Sequence, residues 1–186
     1  MITITTVQSA ADVQGILTLQ QANLRQNLSL DAQTDQGFVT VKHDPEVLTR
    51  MNAAAPSVIA KDGDTVVGYC LTMLPEFSDD IPELLPLFES ISQIEYQGKP
   101  VREQAYYVMG QVCVGAGYRG QRVFDRMYLH QRDVYGSQYN LLVTDISEKN
   151  TRSQRAHERV GFKPLETFYD PTLGENWIVV VWDWQA

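Results

Sequence analysis

The stretch Tyr106-Tyr-Val-Met-Gly-Gln-Val-Cys-Val-Gly-Ala-Gly-Tyr-Arg-Gly-Gln-Arg-Val-Phe124 carries the most chemical information in the chain. An apolar strand runs into a glycine-bearing loop, Gly115 to Gly120, and then straight into helical spacing. The first turn of a helix has unpaired N–H groups and a positive dipole end, so such a junction binds phosphate without a particular side chain. Arg119 and Arg122 add positive charge at the same place. A plain strand–turn–helix, with glycines that only shape the turn, is the alternative reading of the same residues. An isolated glycine, Gly110, interrupts the strand and suggests a bulge or a close backbone approach.

Charge is segregated along the chain. Residues 119–163 hold nine of the fifteen Lys and Arg against five acids, a net +4, while the remaining residues sum to −12. Residues 75–95 contain six acids, Glu76, Asp79, Asp80, Glu83, Glu89 and Glu95, and no Lys or Arg. One region suits an anion and another a cation, or the two are simply solvated faces of opposite sign. The overall charge of −8 excludes nucleic acid as the default partner. Cys70 and Cys113 form neither a disulfide framework nor a metal-binding spacing, and His43 and His130 have no ligand pattern around them, so no metal site is expected.

The elements that must position these residues can be read from periodicity. Ile2 to Thr6 alternates as a strand, Ser9 to Leu30 has helical spacing, and Asp44-Pro45 opens a second helix. Ser57 to Lys61 and Thr65 to Leu74 flank Asp62-Gly63 as a hairpin. Residues 75–100, with four prolines, read as a long acidic connection with one or two helical turns. Helical spacing from Val123 to Val134 is followed by a buried strand around Leu141 to Val143. Either Thr151 with Gln154 or Asn150 caps the next helix, which stops at Gly161. Phe162 to Tyr169 and Trp177 to Trp184 are two closing strands. At 186 residues, 44% hydrophobic and 20% charged, the composition is that of one globular domain over 1–186, of mixed α/β (α+β) class. With no apolar run of membrane-spanning length and no leader-like N-terminus, a cytoplasmic setting is expected and a membrane partner is not.

The segment from Tyr106 resembles motif A of the GNAT superfamily, the GCN5-related N-acetyltransferases, through Val114, Tyr118, Arg119 and Gly120. Asn150-x-x-Ser153-x-x-Ala156-His157-x-x-x-Gly161-Phe162 resembles the family's second motif. The resemblance is strong over 106–163 and looser elsewhere; Arg122 and Phe124 stand where the family carries small residues. It implies a mostly antiparallel sheet of about six or seven strands, helices on both faces, and a parallel pair, 106–114 and 140–146, that splays apart around acetyl-CoA. It further implies that Val112 and Val114 offer backbone groups to the pantetheine arm. Pyrophosphate would meet the N–H groups of Arg119, Gly120, Gln121, Arg122, Val123 and Phe124, with Asn150 and Ser153 near the arm. His157 holds the position where many relatives carry a thiol-side Tyr acid, and a backbone N–H near Val112 would be the oxyanion donor. Asp145 is the base expected to act through a water; Glu76 and Glu103 are weaker candidates, and Gln111, an amide that cannot act as a base, would orient substrate or water. The implied activity is acetyl transfer from acetyl-CoA to a primary amine of a small molecule or peptide, cationic if residues 75–100 form the acceptor side. The alternative is a non-catalytic acyl-CoA-binding or interaction protein of the same fold, with Trp177, Trp182 and Trp184 at a subunit interface; a homodimer fits either reading.

Overall fold

A computed structural model describes residues 1–185, the side chains of 34–36 apart. Strand β1 (Ile2–Thr6) is followed by helices α1 (Ala10–Asn23), α2 (Leu30–Gln36) and α3 (Pro45–Ala54). The β2 (Val58–Asp62) and β3 (Thr65–Met73) hairpin leads through two 3₁₀ turns to α4 (Leu85–Gln93) and a two-residue ribbon, β4 (Glu95–Tyr96) with β5 (Lys99–Pro100). Then come β6 (Tyr106–Val114), α5 (Val123–Tyr135), β7 (Leu141–Ser147), α6 (Thr151–Val160), β8 (Lys163–Asp170) and β9 (Glu175–Asp183). Seven strands form one sheet in the order β1-β2-β3-β6-β7-β9-β8. Every neighbouring pair is antiparallel except β6 and β7.

The burial pattern assigns the layers. Met127 and Tyr128 of α5 and the fringe residue Val160 of α6 pack with Tyr107, Leu142 and Val180 on one face of the sheet. Met51 of α3 and Leu87 and Ile91 of α4 pack with Val108, Val143 and Val179 on the other. Val13 and Ile16 of α1 join that second side through Ile59, Tyr69 and Leu71. β7, covered on both sides, reads as the continuous apolar run that such a position demands: Leu142 and Val143 are wholly buried. Each contributes roughly 1.5–3 kcal/mol by leaving water.

Three expectations need revision. The helix expected over Ser9–Leu30 ends at Asn23, because Leu24 turns extended and bridges Val39; a 3₁₀ turn and then α2 follow. The connection at 75–100 is more structured than one or two helical turns: α4 alone runs nine residues, and its apolar stripe closes one core. Asn150, rather than Thr151 with Gln154, caps α6, its side-chain oxygen accepting from Ser153 N at 3.2 Å. Gln154 instead donates to the carbonyls of Ser147 and Glu148.

Gly161 ends α6 at φ +125°, where a Cβ would sit 2.9 Å from Trp182 Nε1. Gly161→Ala therefore combines strain with a clash against a buried ring. It is expected to lower unfolding free energy by about 1–3 kcal/mol, read from the urea midpoint; an unchanged midpoint would show that α6 can end without the left-handed residue.

Candidate active site

Strands β6 and β7 pair over only three residues, Tyr106 with Leu141 through Val108 with Val143. At that point the β3–β6 register slips, Leu71 facing Gln111 and Thr72 facing Met109, so Gly110 is the extra residue of a bulge. The bulge turns the rest of β6 away from β7. Thr144 Oγ1 donates to Met109 O at 2.8 Å across the fork. Beyond it, β6 keeps β3 on one side only. Gly115 N donates to Val67 O of β3, and groups alternate along a strand, so the N–H and C=O of Val112 and Val114 face the gap. One lone pair of Val114 O is already taken by Arg119 Nε at 2.9 Å.

Two cavities flank the gap. The larger, of about 800 Å³, is lined by Val112, Val114, Arg119, Gly120, Arg122, Val123, Phe124, Asn150 and Ser153, nine of the ten residues expected to hold the acyl donor. Gln121 is the exception: it is exposed and its side chain turns back to Gly117 O. The cavity is lined by five arginines, Arg119, Arg122, Arg152, Arg155 and Arg159, and one carboxylate, Asp125. Burial pushes the Asp125 carboxyl up, but Arg159 at 2.6 Å and Arg122 outweigh it and hold it below the usual range. Side chains of Ser9, Ser29, Asp44 and Asn150 cap α1, α2, α3 and α6. α5 has no such cap, and its first turn opens on this cavity. Arg122 takes φ +58°, the left-handed conformation that a glycine adopts without strain. Its side chain is 82% exposed, and Phe124 packs on Tyr128 and His157, so neither fills the mouth of the helix.

The second cavity, of about 440 Å³, lies across the fork and is lined by Met109 to Val112, Thr144 to Ser147, Pro82 to Leu84, Phe168, Asp170 and Trp177, among others. Phe38, Val39, Val112, Asn150 and Ser153 line both cavities. Residues 38–41 form a strap over the gap. Arg25 N donates to Val39 O, the Arg25 guanidinium covers the Phe38 ring at 4.6 Å, and Asn150 reaches Phe38 O at 3.5 Å. Glu175 anchors this strap: nearly buried, it takes Arg25 at 2.8 Å, Lys149 at 2.9 Å and the Ser147 hydroxyl at 3.1 Å. Nothing in the sequence marked Glu175, Arg25 or the strap, because their partners are distant in sequence.

The expected catalytic residues meet different fates. Asp145 lines the second cavity, and burial raises its carboxyl to about 7, helped by the charge of Asp170 and opposed by its own backbone N–H. His157 also borders that cavity, but its ring is occupied. Ser153 O can only accept, so Nδ1 carries the proton at 2.8 Å, and Nε2 accepts from Tyr128 OH at 2.7 Å. Burial lowers the imidazole to about 4, so it is neutral and its one proton is committed. In this geometry His157 ties α6 to α5, and its one proton is held by the Ser153 carbonyl. Gln111 is held in a buried network, accepting from Gln20 and Tyr69 and donating to Val41 O. Glu76 and Glu103 are exposed and line neither cavity. Of the six acids in 75–95, only Glu83 lines the second cavity. Trp182 is core and Trp184 packs edge-to-face against it, while Trp177 lines the cavity; the three do not make a surface patch. Among the described residues no cluster of His, Cys, Asp or Glu could hold a metal ion, and no helix is long and apolar enough to cross a membrane.

This architecture is that of the GCN5-related N-acetyltransferases. The ribosomal-protein-S18-alanine N-acetyltransferase of Escherichia coli superimposes with a TM-score of 0.64 at 11% identity, over 98% of this chain and 94% of that one. yncA of Salmonella typhimurium, solved with its cofactor acetyl-CoA, gives 0.63 at 13% identity over 98% and 93%. An acetyltransferase of GNAT family from Streptococcus pneumoniae gives 0.63 at 8% identity over 98% and 99%. No family sequence model matches the chain, and no curated protein matches it in sequence.

Asp145 yields a stability test. Its folded pKa of about 7 lies above the unfolded 3.8, so the folded state binds the proton more tightly. The resulting penalty is absent below about pH 4, grows as pH rises, and is complete above about pH 7. Asp145→Asn is thus expected to unfold at higher urea than the parent at pH 8, with the gap closing towards pH 4. A gap independent of pH would mean the carboxyl titrates normally.

Proposed function

We propose that the chain is a single-domain, acetyl-CoA-dependent N-acyltransferase acting by direct attack of a primary amine in a ternary complex. One observation carries the reading: a cavity lined by five arginines and a cavity lined by three carboxylates meet at the fork, sharing Val112, Asn150 and Ser153. A nucleotide-bearing thioester is anionic at one end and neutral at the other, and a primary amine is cationic at neutral pH, so the two charges sort the two substrates to opposite sides.

On the donor side, the uncapped first turn of α5 and the flanking arginines receive pyrophosphate. The gap-facing groups of Val112 and Val114 pair with the amide-bearing arm, as an added strand would. Asn150 and Ser153 stand where the arm reaches the fork. On the acceptor side, an ammonium must lose a proton near pKa ~10.4 before it can attack. Asp145, with a pKa of about 7, is half ionised at neutral pH and takes that proton, directly or through one water. The N–H of Val112 faces the gap and is the donor for the tetrahedral oxyanion. C–N bond formation and C–S cleavage follow, and the thiolate leaves towards the arginine-lined side, taking up the second nitrogen proton. His157 supports this indirectly, by fixing the turn of α6 that carries Ser153.

The binding half is tested by calorimetric titration with acetyl-CoA. Micromolar binding that weakens as salt rises is expected, and Arg122→Glu combined with Arg155→Glu should weaken it at least tenfold. Salt-independent binding, or an unaffected double variant, would remove the phosphate assignment. The chemical half is tested by kcat/KM against pH. An ascending limb with an apparent pKa near 7 is expected, and Asp145→Asn should lose that limb together with 10²–10⁴-fold of the rate. Full activity in Asp145→Asn would require another base.

A further inference from the structure

The acceptor cavity holds an unbalanced pair of charges. Register places Asp145, Asp170 and Glu175 on one face of the sheet, since Asp145 pairs with Val179 on β9 and Glu175 with Asp170 on β8. Their surroundings differ. Glu175, 4% exposed, is matched by Arg25 and Lys149. Asp170 is as deeply buried, at 5%, yet forms no ion pair; its Oδ1 accepts only the backbone N–H groups of Thr172 at 2.7 Å and Leu173 at 3.2 Å. Among the described residues, Asp145 forms no ion pair, and its own backbone N–H is the group that favours its charged form. Both line the 440 Å³ cavity together with exposed Glu83, and no Lys or Arg is among the lining residues.

A carboxylate withdrawn from water without a cation is strongly disfavoured, and the protein has supplied cations to Glu175 but not to its two neighbours. The missing charge belongs to a ligand. A single ammonium cannot supply it. Asp145 and Asp170 lie on strands separated by β9, about 10 Å apart across the sheet at ~4.8 Å per strand spacing, and their partners on β9, Val179 and Glu175, lie four residues or roughly 13 Å apart along it, whereas an ammonium reaches about 3 Å. The walls between are apolar, with Leu84, Phe168 and Leu173 facing the cavity.

We infer that the acceptor is a small aliphatic diamine, whose reacting amine sits at Asp145 and whose second ammonium is held by Asp170, with Glu83 at the rim. The inference rests on the acyltransferase reading. The reacting ammonium gives one proton to Asp145, its nitrogen bonds to the acetyl carbon, and the carbon–sulfur bond breaks. The departing thiolate takes the second nitrogen proton, Asp145 returns its proton to water, and the distal ammonium is unchanged. The products are the monoacetylated diamine and CoA thiol. The distal charge fixes which end reacts, and a product that has lost one charge binds less tightly than the substrate.

The test follows thiol release from acetyl-CoA by the purified protein with three sets of acceptors: linear diamines of three to six carbons, alkyl monoamines of the same lengths, and a short peptide with a free N-terminus. The best diamine is expected to exceed its matched monoamine at least 100-fold in kcat/KM. Asp170→Asn keeps an acceptor oxygen for the Thr172 and Leu173 N–H groups; it should raise the diamine KM at least tenfold, change kcat less than threefold, and bring the diamine-to-monoamine ratio towards one. If that variant does not fold, Glu83→Gln, at an exposed position, should raise the diamine KM at least threefold. Equal use of monoamines and diamines, a peptide faster than any diamine, or a diamine preference that survives these substitutions would overturn the inference alone. Absence of acetyl-CoA binding in the calorimeter would overturn the acyltransferase reading and this inference with it.

Discussion

The parting of β6 from β7 after three paired residues is the constraint on which the rest of the structure depends. A sheet interior normally satisfies every backbone donor and acceptor, and an unfilled gap leaves several of them without partners. Here Gly110 supplies the bulge that starts the divergence, and Thr144 spans the fork to Met109. Past that point, the edge of β6 at Val112 and Val114 turns to the gap the backbone groups that a neighbouring strand would otherwise take. The opening is thus prepared before any ligand arrives, by the loss of one strand pairing.

Around the fork, charge is arranged by element. Arginines from the β6–α5 loop and from α6 gather on one side, and Asp145 and Asp170 lie with Glu83 on the other. Asp125 shows how the cationic side is kept from closing on itself: one carboxylate in the first turn of α5 holds Arg159 and Arg122 without balancing all five guanidinium groups. Glu175 does the reverse on the other side of the fork, using Arg25 and Lys149 to pull the 38–41 strap against the ends of β7 and β9. One carboxylate is held by two cations, and its neighbours Asp145 and Asp170 line the smaller cavity.

The two buried imidazoles are both held neutral by their surroundings. His157 sits where the family motif places a thiol-side acid, but a helix carbonyl and Tyr128 occupy both nitrogens. His43 is likewise buried and lowered to about 4, with Nδ1 accepting from Gln20. Both are neutral in the folded protein and would be charged at mildly acidic pH if unfolded. Each therefore favours the folded state fully above about pH 6.5 and loses that contribution as pH falls towards 4. Asp145 opposes this trend across the same range, because its proton is held more tightly in the folded state.

Much of the architecture was legible in local pattern. Alternation and β-branched runs marked the strands, Gly110 the bulge, Asp44-Pro45 and Gly161 the helix ends, and Val112 to Phe124 with Asn150 and Ser153 about half of the larger cavity's lining. Those signals are legible because each depends on residues only a few positions apart. What depended on distant partners was not legible. The break at Leu24 answers to Val39, the neutral state of His157 to Tyr128, and the anchoring of the strap to Glu175, 150 positions from Arg25. The pKa of Asp145 was equally hidden, since burial and the charge of Asp170 set it and neither exists before the sheet has formed. Sequence by itself determined the elements and the glycine-bearing strand–turn–helix junction; tertiary structure decided which carboxylates carry counter-charges and which do not, because those partners meet only once the sheet has formed.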